Sequence, residues 1–440
     1  MDNKTIHLVS LGCTKNLIDS EVMLGTLSDH TITDQPDNAD IIIVNTCGFI
    51  QSAKEESLHT ILDMAQRKKP GAILVVSGCL SQRYKEELPK ELTEVDIFTG
   101  VGDYDQIDKL IKEKKSQFSS KVFLADETLD RVVTGSNFHA YIKLSEGCNQ
   151  TCAFCAIPNF KGKLQSRTLE SIVKEVTNMV TNGYYDFSFV SQDSSSYLRD
   201  FGDNDGCEQL IDAISNIKGV KSARILYLYP STTSVSLINK IASSDIFHTY
   251  YDIPLQHSTD SMLKIMKRGK GVEKLKELMD EMKKQPNSFI RSTFIVGHPG
   301  ETQEDFDQLC KYVQNFGFDR ANVFSYSDEE DTYAYESDNK ISQEIIDQRA
   351  KILGDIIEQT TLQSLQNDIG KTFDIVIEGV SSEHEYLLSA RKLSWEREID
   401  GEIYINDSEL GDDVALQYGK IYKATITELV GDKLLGRIIK

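Results

Sequence analysis

Three cysteines stand within eight residues in the stretch EGCNQTCAFCAIP: Cys148, Cys152 and Cys155, spaced C-x3-C-x2-C. Thiolates are soft ligands for iron and zinc, and three this close can wrap one small centre. A closed structural zinc site needs four ligands. No fourth cysteine is near, and the closest histidine, His139, lies upstream on the far side of the preceding strand. An iron–sulfur cube held by three cysteines keeps one iron open for substrate or cofactor. A zinc site completed by a distant fourth ligand is the alternative.

A second set is spread more widely. Cys13, Cys47 and Cys79 close the apolar runs HLVSLGC, IIIVNTC and ILVVSGC, at separations of 34 and 32 residues. Each separation is close to one strand–helix unit. Apolar runs alternating with helical sequence indicate a parallel sheet covered on both faces. Ligands of such sheets sit beyond the carboxyl ends of the strands. Three thiols from separate strand ends can therefore converge on one point. The competing reading is three buried, inert thiols. Cys207 and Cys310 fall in phase with apolar helix positions and read as core residues.

The elements that must position these thiols follow from periodicity and stop signals. Residues 1–115 read as a flavodoxin-like α/β domain. Strands are expected at 5–10, 40–44, 73–77 and about 97–101, with helices from near Asp19, over 52–66 and over 82–88. Arg67, Lys68 and Lys69, then Pro70 and Gly71, end the second of these helices. Residues 116–138 are polar and read as a linker with a short strand. From 139 to 370, six apolar strands (YIKL, FSFVS, ARILYLY, YYDIPL, FIRSTFIVG, RANVFSY) alternate with helices, as in a partial (β/α) TIM-like barrel. Thr302 and Asp305 make an approximate capping box before FDQLCKYV. Residues 371–440 break into short strands between Gly, Asp and Asn turns, a small all-β barrel.

The chain has 440 residues, eight cysteines and a net charge of −21. It can bury a large core without disulfides, and clustered cysteines then point to metal or catalysis. No apolar run reaches the roughly 18 residues of a membrane span, and the N-terminus has no signal-peptide pattern. The expected location is the cytoplasm, with no membrane partner. Nucleic-acid binders usually carry a basic face. Residues 371–440 hold nine Lys and Arg against 14 Asp and Glu, a net of −5, which suits a basic protein better than RNA.

C-x3-C-x-aromatic-C after the first strand of a β/α barrel resembles the radical S-adenosylmethionine enzymes. That resemblance implies a 4Fe-4S cluster on Cys148, Cys152 and Cys155, whose open iron chelates S-adenosylmethionine, with Phe154 near the adenine. The triad Cys13, Cys47 and Cys79 ahead of it, and a β domain similar to TRAM behind it, resemble the methylthiotransferases over nearly the whole chain. This implies a second 4Fe-4S cluster with an open iron carrying the sulfur to be inserted, and an external electron donor. S-adenosylmethionine would serve twice, as radical source and as methyl donor. LGCTKNLIDSE, NTCGFIQSAKEES, PLQHSTDSMLKIMKRG and FIVGHPGETQEDF are similar to the RimO-type branch, which adds a methylthio group to the β-carbon of an aspartate on small-subunit ribosomal protein twelve. Thr14, Lys161 and His298 depart from that branch's usual residues. A tRNA adenosine methylthiotransferase is the nearest alternative. A non-catalytic iron–sulfur protein, binding the ribosome or relaying electrons, would need four protein ligands per cluster.

Strand-end polar residues are the remaining candidates for cofactor contact: Gln192 and Asp193, Gln256 and His257, then Gly297, Gly300 and Glu301. Arg291 is a candidate partner for the cofactor carboxylate, with a core-edge salt bridge as the other reading. Trp395 is either a partner anchor on the β domain or a core residue.

Overall fold

The computed structural model describes residues 3–269, 271–384, 386–411 and 415–440. Its first sheet is parallel, with strands β1 (Thr5–Ser10), β2 (Thr31–Ile32), β3 (Ile41–Thr46), β4 (Ile73–Gly78) and β5 (Ile97–Phe98) in the order β2-β1-β3-β4-β5. This is the flavodoxin-like doubly wound order. Every residue of β3 and β4 is buried, because helices cover both faces; the run IIIV therefore shows no alternation.

Two helix starts differ from the sequence expectation. The first helix spans Thr14–Thr26, with Cys13 as its N-cap, and the third spans Cys79–Arg83, followed by Leu88–Glu91. Both begin at the cysteine, because the chain turns directly from strand end into helix. The segment 118–138 holds no strand. It crosses the molecule in irregular conformation, with Phe123 and Ala125 buried in the core of the first sheet. Arg131 on this segment pairs with Glu21 and Glu175.

The second unit has strands β6 (His139–Lys143), β9 (Asp186–Val190) and β10 (Ser222–Ile225), then β11 (Tyr250–Asp252), β12 (Phe289–Val296) and β13 (Arg320–Ser325). They form two parallel three-stranded sheets, β6-β9-β10 and β11-β12-β13, linked by a bridge between Ala223 and Phe247. A short hairpin, β7 (Ser145–Glu146) with β8 (Gln165–Ser166), closes the base of the loop that carries Cys148, Cys152 and Cys155. The helix Gln303–Phe316 starts at a capping box of Thr302 and Asp305.

Strands β14 (Thr372–Val380), β15 (Leu388–Lys392), β16 (Ile403–Ser408), β17 (Ile421–Val430) and β18 (Lys433–Ile438) close into a barrel, ordered β14-β15-β16-β18-β17. This barrel docks on the amino ends of the second unit's strands. Arg391 pairs with Asp186, Arg224 with Glu396, and Trp395 packs on Phe289 at 6.2 Å between ring centres. Trp395 is 1% exposed, so it is a core residue of this junction and no surface anchor.

Candidate active site

All six cysteines of the two triads line one cavity, which encloses about 1470 Å³ of empty space, part of it open to solvent. The first sheet contributes Cys13, Cys47 and Cys79 from the carboxyl ends of β1, β3 and β4, and the second unit contributes the Cys148–Cys155 loop from the end of β6.

Local sequence explains the convergence of the first triad. Asn16 donates to the carbonyls of Leu11 (2.8 Å) and Asn45 (3.2 Å), and Asn45 returns a bond to the Asn16 carbonyl (3.0 Å). These side-chain bonds tie the end of β1 and its helix to the end of β3. Ser57 holds the backbone of Cys47 through both its N–H and its carbonyl. Gly48 is needed for close approach: a Cβ there would lie 2.7 Å from the Leu80 backbone. Gly12, at φ +82°, turns the chain into Cys13, and a Cβ on it would lie 2.7 Å from the Cys47 sulfur.

In the second triad, the Cys148 N–H donates to Gly162 (3.1 Å) and the Ala153 N–H to Met266 (2.9 Å). Arg268 donates to the Cys152 sulfur at 3.3 Å, and Tyr229 lies 3.4 Å from the same sulfur. Neither Arg268 nor Tyr229 stands out in sequence. The only signal was the position of Arg268 inside PLQHSTDSMLKIMKRG.

The thiols are costly to ionise in a protein interior without a compensating charge. Burial pushes Cys148 up to about 11 and Cys155 to about 12, and it raises Cys47 and Cys79 as well. A bound iron centre reverses this cost, because a coordinated thiol is deprotonated outright. Among the described residues, no three His, Cys, Asp or Glu side chains stand close enough to hold a single metal ion. A zinc ion needs all its sulfurs about 2.3 Å away, whereas cysteines of a cluster bind different irons and stand wider apart. Each triad offers three thiols, and among the described residues no His, Asp or Glu lines the cavity to complete a four-ligand zinc site, so the donor set fits a cluster with one open iron. Half-buried Gln192 and Gln256 on the cavity wall each have a buried side-chain oxygen without a protein partner, free to accept from a polar cofactor.

Beneath the cavity, a buried ion cluster crosses from the first unit to the second. Lys143 pairs with Asp19 and with Glu146 (2.9 Å), and Lys161 lies 3.4 Å from both carboxylates. Burial would raise Glu146, but Lys143 and Lys161 outweigh it and hold the carboxyl at about 2. Gln192 donates to Glu146 as well.

The other sequence candidates divide. Phe154, Gln192 and Gln256 line the cavity. Gln256 and its neighbour in the wall, Tyr227, have φ of +74° and +60°, a strained conformation typical of functional sites. Asp193 does not line the cavity. It caps the turn Ser194–Ser196 and holds Gln150, which does, at 2.7 Å. His257 is fully buried against Glu301 (3.2 Å), and Glu301 in turn accepts from Arg349 and from the Gly297 N–H (2.7 Å). These three residues and Arg349 brace the ends of β11 and β12 from behind. Gly300 also lies outside the lining; its N–H donates to the Asn339 carbonyl (3.0 Å). Arg291 sits near the amino end of β12, beside Asp252 and Asp400, away from the cavity. It shares a strand face with Thr293 of the cavity wall but lies nearer the amino end of β12, which makes it a core-edge residue. His298 packs edge-on to Phe154 at 6.3 Å.

Comparison with known proteins agrees with this layout. Residues 5–100 match the profile described as uncharacterized protein family UPF0004, residues 142–313 the radical SAM superfamily, and residues 369–439 the TRAM domain. A protein of Aliarcobacter butzleri named ribosomal protein uS12 methylthiotransferase RimO is 65% identical over 437 residues, covering 99% of this chain and 98% of the relative. The chain belongs to the RimO methylthiotransferase family. A RimO protein of the same name from a Sulfurovum species is 59% identical over 99% of both chains. The solved structure of the radical S-adenosylmethionine methyltransferase TsrM from Kitasatospora setae superposes with a TM-score of 0.54 at 13% identity, over 73% of this chain and 75% of that one, which establishes the shared fold. As a RimO-family radical enzyme, the protein is a methylthiotransferase that uses an iron–sulfur cluster and S-adenosylmethionine. No helix among the described residues is long and apolar enough to cross a membrane.

Proposed function

We propose that this chain adds a methylthio group to the β-carbon of an aspartate of ribosomal protein uS12, in the cytoplasm, using two 4Fe-4S clusters. Cys148, Cys152 and Cys155 would hold the cluster that binds S-adenosylmethionine, and Cys13, Cys47 and Cys79 the cluster that carries sulfur. The single observation that supports this most is that both triads line one cavity. When bound, the two clusters and S-adenosylmethionine supply the electron, the 5′-deoxyadenosyl radical, the sulfur and the methyl group.

The chain's own residues supply position, charge and dryness. A proton-transfer route to a β-carbon is weak, since a general base contributes only about 10²–10⁴-fold. Hydrogen abstraction avoids that limit but demands that water be kept out and that reactants be held close. Phe49, Phe154, Ile157, Phe160 and Phe324 make the wall largely apolar. Phe154, Gln192 and Gln256 would orient the adenosyl group, the two glutamines through their unpartnered oxygens. Arg268 and Lys161 place positive charge beside the sulfurs, Arg268 on Cys152 and Lys161 toward Cys79. The substrate protein would dock partly through the C-terminal barrel, whose net charge of −5 over 371–440 suits a basic ribosomal protein. Val380, Tyr386 and Tyr418 are exposed apolar anchors there. Electrons would come from an external donor.

Anaerobic reconstitution followed by reaction with purified uS12 tests this directly. The reading calls for about eight irons per chain and a mass gain of one methylthio group on one aspartate. Four irons per chain, or modification of tRNA and not of uS12, would refute it.

A further inference from the structure

Three cations line the cavity, Lys15, Lys161 and Arg268, and among the described residues no carboxylate does. That imbalance stands out in a chain of net charge −21. Two of the three are already engaged. Lys161 is neutralised by Asp19 and Glu146, and Arg268 is turned onto the Cys152 sulfur and the Pro254 carbonyl.

Lys15 differs. It is 8% exposed, and no carboxylate among the described residues lies within ion-pair distance of it. Its ammonium sits 3.4 Å over the centre of the Tyr227 ring. Tyr227 is held beneath it by a left-handed backbone (φ +60°) and an N–H bond to Asp252 at 3.1 Å. A ring face stabilises a cation only partly when water is excluded, and an unpaired buried ammonium is otherwise unfavourable. Lys15 stands in the first turn of the helix that Cys13 caps, and it lines the cavity that both triads share.

We propose that Lys15, seated on Tyr227, binds the side-chain carboxylate of the substrate aspartate and so fixes the adjoining β-carbon between the two triads. This rests on the reading that the substrate is a protein aspartate. It makes Lys15 a specificity-determining residue: an amide or a nucleobase at that point would leave the ammonium unpaired.

The test uses the full-length reconstituted protein and fluorescently labelled uS12, with the target aspartate intact or replaced by asparagine. Wild type should bind the aspartate form 10–100-fold more tightly, the range of a charge-assisted hydrogen bond. Lys15→Met should bind both forms alike, at the affinity of wild type for the asparagine form, with iron content unchanged. Lys15→Met that keeps the preference overturns the proposal. So does loss of iron in that variant, which would assign Lys15 to offsetting cluster charge. Should Lys15→Met fail to fold, the wild-type preference decides alone: equal affinity for the two forms overturns the proposal while methylthiolation of uS12 leaves the broader reading standing. Absence of any uS12 modification defeats both.

Discussion

Lys143, at the end of β6, and Asp19, on the helix that Cys13 begins, form an ion pair with side-chain exposures of 1% and 0%. The pair joins the two units that carry the two triads. Burying it is costly, and it holds only because Glu146 and Lys161 complete a balanced group of two cations and two anions. Its consequence is geometric: the first sheet cannot tilt away from the barrel without exposing four charges' worth of mispaired interior.

Removing one member should therefore be worse than removing two. Asp19→Asn is expected to destabilise by about 3–5 kcal/mol, read as a lower urea midpoint. The double variant Asp19→Asn with Lys143→Met should recover part of that loss, giving a coupling of roughly 1–3 kcal/mol in a double-mutant cycle. Additive effects would mean that the group does not act as a unit.

Cluster removal should separate the two halves of the chemistry. Cys13→Ala with Cys47→Ala and Cys79→Ala is expected to halve the iron content yet still release 5′-deoxyadenosine from S-adenosylmethionine. Cys152→Ala should stop that release. The measurements are iron per chain and chromatography of the nucleoside.

Arg268 donates to the Cys152 sulfur, and such bonds tune cluster potential. Arg268→Met should shift the potential of that cluster to more negative values. A lost charge-assisted bond of about 1.5 kcal/mol corresponds to about 60 mV for one electron. Redox titration followed by electron paramagnetic resonance reads the shift, and an unchanged potential would remove Arg268 from this role.

Acid should weaken the junction with the C-terminal barrel. Burial depresses His139 to about 4 and, with Arg224 adding to it, His248 to about 3. An unfolded histidine takes its proton near 6.5. As pH falls below about 6.5 the unfolded chain binds protons that the native one refuses, so stability drops until the native values are reached. Each pH unit of offset is worth about 1.4 kcal/mol. The denaturation midpoint should fall between pH 7 and pH 5, and His139→Gln should flatten that fall.

Gly48→Ala tests the packing of the Cys47 turn. Its Cβ would meet the Leu80 backbone at 2.7 Å, and backbone cannot rotate aside. A loss of about 1–3 kcal/mol is expected, with poorer iron retention in the first triad; normal iron and stability would contradict the geometry.

Much of this protein was legible in the order of its residues. IIIVNTC and ILVVSGC announce buried parallel strands because unbroken apolar runs suit a sheet covered on both faces. The cysteines close them because ligands gather where such strands end. The C-x3-C-x2-C loop needs only local spacing to be recognised. What the linear order left open is direction and long-range pairing. Asp193, His257 and Glu301 occupy strand ends as anticipated, yet they turn behind the wall to caps and ion pairs, while Arg291 lies at the wrong end of its strand. Lys15, Tyr229 and Arg268 gain meaning only from what surrounds them in the cavity. Lys143 meets Asp19 across 124 residues, and Trp395 meets Phe289 at a junction between two units. Such contacts depend on how separate elements pack, and periodicity along one element carries no information about its neighbour's face.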